Sequence, residues 1–207
     1  EIQVILSMLR ILDNPLQDIP MAAVLASPIV GMDDEELAQI RSAFKGVSFA
    51  QAALSAMAGE DGYEDEKLKA FALVFERLRG AVADTPIHEL LYMMLDETGF
   101  YRYASAMPAG KRRRQNIDML IEMAAAYEKT SYKGLFHFVR YIDIQQKYEI
   151  DYGEADTAGE NDDVVRIMTI HKSKGLEFPV VFVSGLGKAF NTQDTKSDLV
   201  IHEKLGL

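Results

Sequence analysis

Val165-Arg166-Ile167-Met168-Thr169-Ile170-His171-Lys172-Ser173-Lys174-Gly175-Leu176-Glu177-Phe178-Pro179-Val180-Val181-Phe182-Val183 is the stretch on which the reading of this chain turns. Two apolar runs enclose a compact polar turn. Val164 to Ile170 and Val180 to Val183 are rich in β-branched and aromatic residues, which predicts two strands buried in a sheet. Between them stand a His, two Lys, a Gly and a Glu, residue types suited to phosphates and a sugar. Gly175 permits positive φ or close backbone approach, and Lys172 and Lys174 are point charges that suit phosphate oxygens. In open α/β sheets ligands gather at the carboxyl ends of strands, where Thr169 to Lys174 would lie. Spacing alone leaves a second reading open, a solvated turn between two strands.

Upstream, the pattern is helical. Ile2, Ile5, Leu6, Leu9 and Leu12 form a stripe that ends before Pro15. Asp33 and Asp34 suit the start of a helix through Leu37, Ile40 and Phe44, and Asp65 to Val82 carries apolar residues at helical spacing. Thr85-Pro86 reads as an N-cap followed by Pro at the first helical position, opening Ile87 to Glu97. Further helices are expected over Lys111 to Lys129 and from Leu135 to about Tyr148, after Gly134. Between the helices and the two runs, Asp151, Glu154, Asp156, Glu160, Asp162 and Asp163 fall in a stretch with Gly153, Gly159 and no Lys or Arg. That composition predicts a solvated linker.

The run from Thr169 to Phe182 resembles motif V of superfamily-one DNA helicases of the UvrD and RecB type. Its continuation, Ser184-Gly185-Leu186-Gly187-Lys188-Ala189-Phe190-Asn191-Thr192-Gln193-Asp194, is similar to the AddA-type helicase–nuclease subunits. Glu1-Ile2, Leu6, Leu9-Arg10, Asn14-Pro15 and Asp18 are similar to the segment that follows motif IV in the same helicases. The resemblance implies a mainly α chain, a helical insertion of the 2B type flanked by partial RecA-like α/β elements. Residues 1–18 would lead in from the second RecA-like motor domain and 19–150 would form the helical accessory subdomain. Residues 151–163 would be the acidic linker, and 164–207 would return into the motor domain with motif V.

The roles implied follow position by position. Thr169 and His171 match residues that contact the single-strand backbone, and a Thr hydroxyl or neutral His can donate to a phosphate oxygen. Glu177 matches the acid that accepts from the ATP ribose; a carboxylate capping a nearby backbone group is the competing role. Lys174 and Gly175 match positions near the nucleotide phosphates. Implied cofactors are ATP and Mg²⁺ in a full-length parent. Implied partners are single-stranded and duplex DNA and an AddB-type protein, in a cytoplasmic complex that processes double-strand breaks. The alternative is a non-catalytic helical module that mediates protein contacts.

The chain on its own is expected to be inactive. A phosphate-cradling loop has the form G-x-x-x-x-G-K-[ST]. Before Gly187-Lys188 the first Gly position is Phe182 and Ala189 follows; before Gly110-Lys111 it is Ser105 and Arg112 follows. No arginine-finger motif is found before Leu207, and nothing resembles the family's C-terminal nuclease site. Opening on Glu1 rather than Met, the 207 residues read as an internal fragment. No apolar run reaches membrane-spanning length, and the absence of cysteine removes disulfides and thiolate metal sites. A net charge of −10, from 32 acidic and 22 basic residues, argues against coating nucleic acid by bulk electrostatics, though a local groove remains compatible.

Within the helical part, Lys111-Arg112-Arg113-Arg114 is the densest basic run. Four cations at a helix start oppose the macrodipole, so helix stability does not account for them. Arg112 and Arg113 are candidate DNA contacts; a solvated surface turn is the other reading. Phe100, Tyr101 and Tyr103 could stack on bases or simply pack. His88-Glu89 opens like a zincin motif, but Tyr92 stands where the second His is needed. His137 reads as a helix-face or core histidine, and Met93, Met94, Met119 and Met123 as core filling.

Overall fold

The computed structural model describes residues 1–130, 134–147, 165, 167–171 and 173–187. The chain divides into two units, Glu1–Asn161 and Asp162–Leu207. Every helix among the described residues lies in the first unit.

Helix α1 (Ile2–Asp13) is the axis of that unit. Its apolar residues exceed one stripe: Ile5, Leu6, Met8, Leu9, Ile11 and Leu12 are all essentially buried. A helix apolar on most sides must be enclosed, and α1 packs against α2 (Asp18–Leu25), α5 (Glu66–Ala81), α8 (Gly110–Tyr127) and α9 (Leu135–Lys147). It ends where Pro15 pushes Asn14 out of the helical region, to φ −135° and ψ 103°. Pro20 falls in the first turn of α2, where a missing N–H costs no intrahelical bond.

Caps set most of the helix starts. At α3 (Asp34–Ala43), Asp33 accepts from the Glu36 N–H at 2.9 Å while Glu36 accepts from the Asp33 N–H at 2.8 Å, a reciprocal capping box. Lys67 ties that box to α5, donating to both Glu36 oxygens at 2.7 Å and to the Gly31 carbonyl at 2.8 Å. Ser48 caps α4 (Phe49–Met57), and Asp18 of α2 adds a second carboxyl oxygen there, accepting from the Ala50 N–H at 2.9 Å. Buried Ala50, Ala52, Ala53 and Ala56 let α4 lie close to α2, α3 and α5. Asp65 caps α5 through the Leu68 N–H at 2.8 Å.

Helix α6 (Ile87–Glu97) starts differently from the sequence expectation. Pro86, not Thr85, takes the N-cap position, and no side chain of the cap residue serves the helix. Instead the Glu128 carboxylate, just past α8, accepts from the Ile87 N–H and lies 2.5 Å from the His88 Nδ1. A cap from a residue so distant in sequence leaves no local signature. Three helices carry no clear sequence expectation: α2, the alanine-rich α4, and the short α7 (Phe100–Ala106), which opens after Gly99 at φ +66°. Along α9, Phe138 is fully buried, its ring edge against Tyr127 at 5.4 Å between centroids.

The second unit corrects the strand expectation. Among its described residues no strand forms over Val164–Ile170 or Val180–Val183; the backbone there is turn or irregular. Val165, Ile167 and Phe182 are 95%, 98% and 93% exposed. A strand is completed by a neighbour's hydrogen bonds, and none of the described residues supplies that neighbour. The flanking RecA-like α/β elements are therefore not seen. The acidic linker, Lys172 and residues 188–207 lie outside the described residues.

Candidate functional site

The polar turn of the second unit is wound by its own backbone. The Ser173 N–H donates to the Thr169 carbonyl at 3.1 Å, the Lys174 N–H to His171 at 3.4 Å, and the Leu176 N–H to Ser173 at 3.0 Å. Ser173 Oγ donates to the Ile170 carbonyl at 2.8 Å, closing the turn from inside. Gly175 sits at φ +84° with open space where a Cβ would be. Its requirement is the left-handed backbone, not clearance.

This winding brings Thr169, His171, Lys174, Gly175 and Glu177 into one short segment, with all five exposed. Met168 and Phe178, at its two ends, are half-buried. The segment offers an imidazole, an ammonium and a carboxylate to solvent within one coil. Such a set can donate to phosphate oxygens and accept from a sugar hydroxyl.

Arg112 and Arg113 belong to the other unit, at the joint between α7 and α8. The chain is tight there. A Cβ on Gly110 would fall 1.9 Å from the Ser105 carbonyl oxygen, so only glycine fits, and Ala109 beside it takes φ +58°. Arg113 turns inward, donating to the Glu1 carboxylate at 2.7 Å and to the Pro108 carbonyl at 3.0 Å. Asn116 donates to the other Glu1 oxygen at 3.0 Å. Burial opposes the charge on Glu1, but Asn116, the α-ammonium and Arg113 together hold its carboxyl below the ordinary range. Arg112 is exposed and engaged in an interaction of its own.

The nearby aromatics mostly pack. Phe100 is buried, and Tyr103, 45% exposed, lies on it with 6.1 Å between ring centroids. The Tyr101 hydroxyl donates to Asp118 at 3.0 and 3.3 Å to its two oxygens. Burial first, then that bond, push the phenol pKa up. His137 lies exposed on α9 with its ring edge-on to Phe136, while Met94 is fully buried. Sequence reasoning missed the pairs that lock the helical unit across long separations, Glu1 with Arg113 and Arg10 with Asp143 at 2.5 Å. Periodicity carries no signal for them.

Residues 1–192 match the family model of the UvrD-like helicase C-terminal domain. The chain is 47% identical to the ATP-dependent helicase/nuclease subunit (AddA) of Anoxybacillus flavithermus, 46% to that of Bacillus cytotoxicus and 44% to that of Bacillus mycoides. Each alignment covers 100% of this chain and 17% of the relative, so the chain spans about a sixth of those proteins' length.

Proposed function

Because the chain belongs to the UvrD-like helicase C-terminal domain family, we propose that it is a segment of an ATP-dependent DNA helicase–nuclease subunit of the AddA type. The observation that carries this reading is the 44–47% identity, over the whole chain, to proteins named as ATP-dependent helicase/nuclease subunits. In this reading residues 19–150 are the helical accessory subdomain. Residues 1–18 lead in from the motor domain and 164–207 return to it, joined through 151–163. The exposed apolar residues Val165, Ile167, Val180, Val181 and Phe182 support that return. Such a run suits a strand covered on both faces by a sheet that the rest of the motor domain supplies.

The turn then works as a coupling element. Glu177 accepts from the ATP ribose, and Lys174, beside the left-handed Gly175, stands near the phosphates. Thr169 and His171 donate to the single-strand backbone a few residues away. The turn's donors and acceptor fit the sugar and an outer phosphate oxygen. The phosphate cradle and the Mg²⁺ ligands belong, in this proposal, to the remainder of the full-length protein. ATP supplies the hydrolysis energy; these side chains sense its presence at one end of the coil and hold DNA at the other. A displacement of the coil at one end moves the other, a coupling of two sites through one element. The parent would translocate on single-stranded DNA in double-strand break repair, in the cytoplasm, with an AddB-type partner.

The test is single-strand-stimulated ATP hydrolysis by the full-length protein, wild type against His171→Ala. Loss of stimulation with an unchanged DNA-free rate supports coupling through the turn. Robust stimulation in both proteins removes His171 from the DNA contact, and a folded wild type without ATPase activity overturns the motor reading.

A further inference from the structure

The basic run at the start of α8 divides into two jobs. Arg113 is spent within the protein, bound to Glu1 and to the Pro108 carbonyl. Lys111 and Arg114, three residues apart and so on one helical face, are exposed, and no carboxylate among the described residues ion-pairs with either. That is unusual in a chain with 32 acidic residues against 22 basic ones. The local acids are also engaged: Glu1 holds Arg113 and Asn116, and Asp118, one turn beyond Arg114, gives both oxygens to the Tyr101 hydroxyl. Two like charges held together near the positive end of a helix repel each other and the helix dipole. Their placement is rigid, because the elbow is closed by Gly110 against Ser105 and braced by Arg113. Charge complementarity therefore points to an anion from outside the chain.

We propose that the Lys111–Arg114 face of α8 grips the phosphodiester backbone of DNA, with Arg113 as the strut that aims it. This rests on the DNA-motor reading above and adds to it a second grip, outside the motif V turn. Arg offers a forked donor pair and Lys a point charge, both suited to phosphate oxygens and neither able to read sequence through them. The contact is thus indifferent to sequence and sensitive to salt.

The experiment measures binding of the full-length protein to a labelled blunt duplex and to labelled oligothymidylate across a salt series. The variants are Lys111→Gln/Arg114→Gln and a charge-matched control elsewhere on the helical unit, Lys45→Gln/Lys129→Gln. Two lost phosphate contacts should lower the slope of log affinity against log salt by about two and weaken binding about tenfold or more at low salt. The control should keep the wild-type slope. Loss on duplex alone assigns the grip to duplex, loss on oligothymidylate alone to single strand, and loss on both to the shared backbone. A double variant that keeps the wild-type slope on both probes overturns the grip while leaving the motor reading intact. A wild type that binds neither probe and shows no DNA-stimulated ATPase overturns both. Arg113→Ala separates strut from contact: it should lower the melting temperature with the slope kept. A slope lowered by about one at unchanged melting temperature would overturn the strut assignment.

Discussion

Two glycines in helices should respond to the same substitution with opposite signs. Gly80 lies exposed in α5 with nothing within 4 Å of where a Cβ would go, so Gly80→Ala only reduces the freedom of the unfolded chain. It should stabilise the helical unit by about 0.5–1 kcal/mol. Gly110→Ala meets a wall. Its Cβ would lie 1.9 Å from the Ser105 carbonyl oxygen and 2.7 Å from the carbonyl carbon, where real Cβ contacts stay beyond 3.0 Å. Backbone must therefore retreat by about 1 Å, a displacement of the kind that overpacking converts into about 1–3 kcal/mol. Because Arg113 braces the same elbow, the retreat also strains its bonds to Pro108 and Glu1. At about 2–4 °C per kcal/mol for a unit of this size, Gly80→Ala should raise the midpoint by about 1–4 °C and Gly110→Ala lower it by about 4–10 °C. Thermal melts followed by circular dichroism at the helical band decide the matter. A Gly110→Ala protein as stable as wild type would refute the reasoning, whatever Gly80→Ala does.

Other consequences can be checked alongside. Phe138→Ala removes a fully buried ring packed on Tyr127 and should cost about 3–5 kcal/mol, read as the largest fall in denaturation midpoint among single core truncations of α9. Asp18 is held below the ordinary carboxylate range by the Ala50 N–H above all, with the Phe49 N–H, the Ser48 hydroxyl and Arg41 adding to it against burial. Its folded pKa is depressed, so its stabilisation is complete above the unfolded pKa and is lost as pH falls toward the folded one. The midpoint gap between wild type and Asp18→Asn should be constant above about pH 5 and close below about pH 4; an equal gap at both ends would contradict it. In the full-length protein Glu177→Ala should raise KM for ATP about tenfold, the worth of one charge-assisted hydrogen bond, and an unchanged KM would return Glu177 to a structural role.

What could be read from sequence depended on whether the cause was local. Asp33 with Glu36, and Asp65 with Leu68, are caps whose partners stand three residues apart, and both helices start where those residues place them. The stripe from Ile2 to Leu12 likewise gives α1. Helix α6 has its expected span, yet its cap comes from Glu128, which no window around Thr85 contains. Helix α7 is short and aromatic, and its start is a left-handed Gly99 rather than a polar cap. The runs around the polar turn are apolar as expected, but a strand is a relation between segments, and the described residues hold only one side of it. At the turn, residue types and Gly175 were legible; its internal hydrogen bonds were not. At the basic run, charge density was legible, whereas the diversion of Arg113 to Glu1 depends on a contact across the whole helical unit.

The central place of α1 has a consequence for how the helical unit acquires its structure during synthesis. Of the nine α-helices this one leaves the ribosome first, yet one of its covers, α9, ends at Lys147, and the Arg10–Asp143 pair spans a separation of 133 residues. At translation rates of about 5–20 residues per second, roughly 7–27 s pass between the emergence of Leu12 and that of the last turn of α9. Over that interval Ile5, Met8, Leu9 and Ile11 lack part of their eventual cover, and pairing so distant in sequence slows closure further. The nascent helical unit is thus a chaperone client by topology, and conditions that slow elongation should lower its soluble yield more than its equilibrium stability would suggest.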